Sequence, residues 1–160
     1  MEDNVMIRKA TKEDIPRLNE LLFQVQGIHA IGRPDIFKGG TKKYTSEELQ
    51  GIIEDTLTPV YVYTDDGGIK GYVFCAFQET LETNQLHYRK TLYIDDLCVD
   101  KEERGKHIGI KLYEYARSIA KENGCNSVTL NVWALNEPAS HFYNKIGLTP
   151  LKTTMEEVIV

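Results

Sequence analysis

The run "VYVYTDDGGIKGYVFCAFQ", residues 60–78, constrains the fold more than any other stretch. Two β-rich segments flank Asp65-Asp66-Gly67-Gly68, a combination that supplies the positive-φ positions of a tight hairpin turn. A third such segment, "RKTLYIDDLCVD", follows after the polar connection "ETLETNQLHY" and reads as a neighbour of the hairpin. The apolar faces of a sheet need cover, and the flanking sequence supplies amphipathic helices to provide it.

Before the hairpin, "NVMIRKA" reads as a short strand and "TKEDIPRLNELLFQV" as a helix, with Ile15, Leu18, Leu22 and Val25 at helical spacing and Thr11 as cap. In "QGIHAIGRPDIFKGGTKKY" the glycines and proline break the period, which predicts a long irregular connection of the kind that often carries function. "SEELQGIIEDTL" is a second helix, capped by Ser46. After the third strand, Ile108, Leu112, Tyr115 and Ile119 mark one face of a helix from His107 to Asn123, stopped by Gly124. "SVTLNVW" is a further strand, and "NEPASHFYNKIG" a short helix with Asn136 as cap, Pro138 in its first turn and Gly147 at its end. The remainder, ending in "TMEEVIV", reads as one or two more strands. The sum is a single α/β (α+β) domain over residues 1–160, with a mixed, mostly antiparallel sheet of six to seven strands and about four helices on its faces.

A hydrophobic fraction of 41% and a charged fraction of 27% describe an ordinary globular chain, with neither a secretory signal nor an apolar run that could span a bilayer. The net charge of −5 argues against nonspecific nucleic-acid binding. Cys75, Cys98 and Cys125 are an odd number, far apart and set in strand-like runs, so they read as reduced core thiols of a cytoplasmic protein. No metal is called for.

"EERGKHIGIKLYEY", residues 102–115, sets three potential cations at a helix N-terminus, where the helix dipole disfavours them. A bound phosphate resolves that conflict. No Walker loop is present, because Gly105-Lys106 is followed by His107, and the dinucleotide fingerprint is missing too. What remains, Arg104-Gly105-x-x-Ile108-Gly109 between a strand and a helix, resembles the pyrophosphate loop of the GNAT superfamily of acetyl-coenzyme-A-dependent N-acetyltransferases. The likeness runs from "IRKATKEDIPRL" to "NEPASHFYNKIGL". Together, "YIDDLCVDKEERGKHIG" and "NEPASHFYNKIGL" somewhat resemble the spermidine/spermine acetyltransferase branch.

The resemblance implies that the amides of Gly105, Lys106, His107, Ile108 and Gly109 cradle the pyrophosphate of acetyl-CoA, with Arg104 as the first position of the loop motif. His107 stands where the family usually has glycine, and the loop is expected to be usable only if the φ of residue 107 is negative. Backbone groups of Leu97, Cys98 and Val99, at a splayed strand end, are expected to bind the pantetheine arm and polarise the thioester. Asn136 is a helix cap with an added coenzyme contact, and Tyr143 in "HFYNKIGL" is the general acid for the thiolate. Asp95 and Asp96 face opposite sides of the sheet by strand alternation, one structural and one a base for the amine, with "YIDDLCV" favouring Asp95. His29, Arg33, Asp35 and Phe37 line the acceptor site. The implied reaction is direct acetyl transfer from acetyl-CoA to a primary amine on a small molecule or peptide; the alternative is a noncatalytic acyl-CoA-binding or sensing module. Neither nucleic acid nor membrane is an expected partner, and a homodimer is one option for the assembly.

Overall fold

The computed structural model describes residues 4–160. Five strands form one sheet in the order β1 (Met6–Lys9), β2 (Val60–Asp65), β3 (Gly68–Thr80), β4 (Arg89–Val99) and β5 (Ser127–Leu130). The first three pairings are antiparallel and the last, β4 with β5, is parallel. The hairpin expected around residues 65–68 is the β2–β3 connection. Four α-helices accompany the sheet: α1 (Ile15–Gly32), α2 (Ser46–Glu54), α3 (Ile108–Glu122) and α4 (Glu137–Lys145).

Strand alternation splits the core into two layers. Val60, Val62, Tyr72 and Phe74 point to one face, where they pack with Leu18, Leu21 and Leu22 of α1 and Leu49 and Ile53 of α2. Tyr61, Tyr63, Val73 and Cys75 point to the other, against Ile108, Leu112, Ala116 and Ala120 of α3. Leu18, Leu21, Leu49 and Leu112 are wholly inaccessible to solvent, and each such side chain contributes about 1.5–3 kcal/mol on burial. Cys75 and Cys98 are buried free thiols, while Cys125 is only half-buried.

Three expectations are corrected. The sheet has five strands, not six to seven, because residues 149–160 lie exposed without regular structure. α1 does not stop at Val25; its spacing carries through Gln26 and His29 to Gly32, so the segment expected to be wholly irregular begins as helix. Gly32 allows a close approach there, since a β-carbon would lie 3.1 Å from Leu135. The cap of α2 is Thr45, not Ser46: its hydroxyl accepts from the Glu48 amide at 3.1 Å while Glu48 accepts from the Thr45 amide at 3.2 Å, a reciprocal pair that satisfies two otherwise orphaned donors.

Candidate active site

The segment 100–109 is fastened to α1. Arg17 forks between the Ile69 carbonyl, at 3.1 Å, and the buried carboxylate of Asp100. Asp100 in turn accepts from the Glu102 amide at 3.1 Å, and Gln24 accepts from the Lys101 amide at 3.3 Å. Beyond this anchor the chain turns into α3 through two left-handed residues, Gly105 at φ 84° and His107 at φ 63°. The expectation of a negative φ at residue 107 is therefore wrong. Histidine is among the residues that tolerate this region, at a cost of about 1–2 kcal/mol. The first backbone bond of α3 is Lys111 N–H to His107 C=O, and among the described residues the amides of 105–110 have no partner. A helix start with unsatisfied donors and alternating left-handed residues is an anion-binding concavity. Gly109 faces Phe142 of α4, and a β-carbon there would make only ordinary contact at 3.4 Å, so the protein itself does not require this glycine.

β4 carries the second part of the site. Its pairing with β3 slips between Phe74/Asp96 and Cys75/Ile94, leaving Asp95 as the extra residue of a β-bulge. The bulge overturns the expectation that Asp95 and Asp96 face opposite ways. Ile94 belongs to the α3 layer, yet Asp96 pairs with Phe74 of the α1–α2 layer, and Asp95 reaches Tyr44 and Lys43 on that same side. Tyr44 donates to Asp95, Lys43 lies 3.2 Å from it, and the Tyr72 hydroxyl donates to Asp96 at 2.7 Å. Burial, partly offset by Tyr72 and Lys43, holds the Asp96 carboxyl above its ordinary range. Pairing of β4 with β5 ends at Ile94–Leu130, whereas β4 continues to Val99. Residues 95–99 thus have one open backbone edge, and Leu97, Cys98 and Val99 line the cleft along it. The Cys98 thiol points into the α1–α2 layer and burial pushes it up to about 12, which leaves it a poor nucleophile.

The cleft, of about 1610 Å³, runs between the start of α3, the open edge of β4, and α4. Asn136 caps α4 by accepting from the Ala139 amide at 3.3 Å, and its side chain borders the cleft. Tyr143 also lines the cleft; its hydroxyl has no partner among the described residues, and burial, then Asp96, raises its pKa so that it keeps its proton. At the other end, His29 of α1 meets Phe37 with ring centroids 4.8 Å apart, and Phe37 meets Trp133 edge-on at 4.9 Å. Burial, then the charge of Lys43, lowers the His29 pKa and favours a neutral imidazole.

Most of the residues singled out in the sequence come together here. Arg33 does not: its guanidinium is taken by Asp35 at 2.8 Å and Glu156 at 3.0 Å, outside the cleft. Lys106 does not either, because its ammonium pairs with Glu103 at 2.6 Å and only its backbone belongs to the loop. Lys43, Tyr44, Tyr72 and Trp133 were missed. Trp133 is the single tryptophan, just after a strand and half-exposed, and that combination was a usable signal.

The acetyltransferase (GNAT) family profile matches residues 26–148. The chain belongs to that family. Among solved structures, a mutant of the BH1408 protein from Bacillus halodurans is 31% identical, with a TM-score of 0.94 over 97% of this chain and 99% of that one. An uncharacterized N-acetyltransferase of Methanocaldococcus jannaschii is 27% identical over 88% of this chain, which spans only 59% of that relative's length. A putative [ribosomal protein bS18]-alanine N-acetyltransferase of Bacillus subtilis is 26% identical over 82% of this chain and 79% of its own length. None of these GNAT relatives is described as a polyamine enzyme, so the likeness to the spermidine/spermine branch rests on the sequence motifs alone.

Proposed function

We propose that this GNAT protein moves an acetyl group directly from acetyl-CoA to a primary amine. The observation that carries the reading is the run of amides at residues 105–110 that have no partner among the described residues, opening onto residues 95–99 of β4, which extend past its pairing with β5. The pyrophosphate sits on those amides, and the pantetheine arm follows the free edge of Leu97, Cys98 and Val99 as an added strand would. That edge brings the thioester between the two strand acids and Tyr143.

A primary amine is protonated at neutral pH, so a base must first take one proton. Asp96 suits this role, since burial raises its affinity for a proton and, among the described residues, Tyr72 is the one side chain hydrogen-bonded to it. Asp95, already held by Tyr44 and Lys43, orients the incoming ammonium. The amine lone pair attacks the thioester carbon, and a backbone amide near Val99 stabilises the oxyanion. Collapse expels the thiolate, which takes the Tyr143 proton, and the second proton of the attacking nitrogen returns to the tyrosinate, directly or through water, leaving the neutral N-acetyl product, free thiol and one proton on Asp96 to be released to solvent. The aromatic corner of His29, Phe37 and Trp133 receives the rest of the acceptor, suiting an apolar or cationic group beside the amine.

Calorimetry and a thiol-release assay over a panel of amines test the reading. Gly109→Glu is expected to abolish coenzyme A binding while the fold is kept, because it puts charge and bulk on the amides. Unchanged affinity in a folded variant removes the loop from the site. Coenzyme A binding without acetyl transfer to any amine points instead to the noncatalytic acyl-CoA-binding module.

A further inference from the structure

The acceptor end of the cleft already holds a primary amine. Lys43 lies in the connection between α1 and α2 and borders the cleft. Its ammonium is 3.2 Å from the Asp95 carboxylate and donates to the Asp95 carbonyl at 3.1 Å. Asp95 is the first residue of β4 past the pairing with β5, so the Lys43 nitrogen stands where the open edge begins. The backbone that carries it is anchored. Tyr44 donates to Asp95 and stacks its ring on buried Phe74 with centroids 6.0 Å apart, and Thr45 caps α2. Burial is the first cause of the pKa shifts at His29 and Asp96, and each also feels the Lys43 charge, which places that charge between the aromatic corner and the strand acids.

Stability is a weak reason for a lysine at this position. Its side chain is 41% exposed, and an ion pair so open to solvent contributes about 0–1 kcal/mol. The pair therefore opens readily and releases a nucleophile beside two carboxylates. Lys38 and Lys42 lie in the same connection but outside the cleft. Lys145 of α4 borders the cleft, yet among the described residues no carboxylate holds its ammonium or stands ready for its proton.

We propose that Lys43 is an internal acceptor, acetylated on Nζ by its own chain when acetyl-CoA is bound and no external amine fills the acceptor corner. This rests on the reading above, in which the thioester lies along residues 95–99 beside the acids and Tyr143. Asp95 takes one proton from the ammonium, the freed lone pair attacks the thioester carbon, and the carbon–sulfur bond breaks. The thiolate takes the Tyr143 proton, the second proton of the nitrogen returns to the tyrosinate directly or through water, and Asp95 releases its proton to solvent. The products are a neutral acetyl-lysine, which keeps one N–H, and free coenzyme A. Capping removes the cation from Asp95 and leaves that carboxylate to an incoming ammonium.

The intact chain is incubated with acetyl-CoA and no amine, while thiol release and peptide masses are followed. One thiol is expected per chain that starts unmodified, with the mass of one acetyl group added at Lys43. That site should fill at least about tenfold faster than Lys38 or Lys42, because it is held against the bound thioester while they meet the cofactor only from solution. The rate per chain should not change with protein concentration, since amine and thioester share one molecule. Lys43→Arg keeps a cation on Asp95 and removes the nucleophile; with coenzyme A binding by calorimetry showing that it is folded, it should release no such equivalent of thiol. An unmodified Lys43 in a chain that acetylates external amines overturns the proposal and leaves the functional reading standing. Acetyl groups at Lys145 or spread evenly over the lysines overturn it as well, as does a rate per chain that rises with protein concentration, the mark of transfer between chains. Coenzyme A binding with no transfer to Lys43 or to any amine overturns both.

Discussion

Burial raises the pKa of both Asp96 and Tyr143, and the two shifts serve opposite ends of the proposed reaction. For Asp96 the folded value lies above the unfolded one of about 3.9, so its stabilising contribution is present below that pH and is lost as pH rises through the folded value. At pH 7 the buried charge is a cost. Asp96→Asn keeps an acceptor for the Tyr72 hydroxyl and removes that charge, so Tm at pH 7 should rise relative to the parent and the difference should vanish in acid. Turnover should fall by about 10²-fold or more at neutral pH and recover as pH approaches the acceptor's own pKa. A lower Tm at pH 7, or a loss independent of pH, would assign Asp96 a structural role and return the base to Asp95. Tyr143→Phe should leave stability and coenzyme A affinity nearly unchanged while lowering kcat by about 10²-fold, with the deficit narrowing above about pH 8.5, where the thiolate leaves unaided. Equal kcat at neutral pH, with chemistry limiting, would make Tyr143 a packing residue. The identities of these side chains were legible in "YIDDLCV" and "HFYNKIGL". The side each acid faces was not, because the bulge at Asp95 arises from how β4 meets β3 and has no mark in β4 alone.

At the scale of elements, strong periodicity was legible and partnership was not. α3 and α4 fall within a residue or two of their expected bounds because their spacing, caps and stops agree. α1 was cut short on the evidence of the glycines and proline that follow Val25, although a lone glycine such as Gly27 costs only about 1 kcal/mol and Gln26, Ile28 and His29 all border the cleft beyond the predicted end. Residues 149–160 failed for the converse reason: they have strand composition, but a strand exists only with a neighbour to bond. The start of α3 offers a direct test of stored strain. His107→Gly relieves about 1–2 kcal/mol of left-handed strain, offset by about 0.5–1 kcal/mol of extra unfolded-state freedom, so stability measured by urea unfolding should stay level or rise by up to about 1.5 kcal/mol. Coenzyme A affinity should hold. A clear loss of either would show that the imidazole, and not only the backbone at 107, contacts the phosphates.

For the whole molecule, the family was legible from the strand-loop-helix unit at 89–122 taken together with "NEPASHFYNKIGL". Coenzyme A should act as a ligand of the folded state only: at 100 times its Kd the stabilisation is about 2.7 kcal/mol, or roughly 5–10 °C in Tm for a chain of this size, and Gly109→Glu should abolish the shift. A shift that survives in that variant would place the coenzyme elsewhere. α1 spans both halves of the proposed reaction. Arg17 grips the support of the amide loop and His29 stands in the aromatic corner, twelve residues on, about 18 Å along one rigid axis. The helix is therefore a ruler. On the proposed reaction it sets the distance between the phosphate anchor and the acceptor corner, and the site should then select its acyl carrier by arm length as well as by charge. A carrier with the same phosphates but a shorter thiol arm should bind well and fail to react.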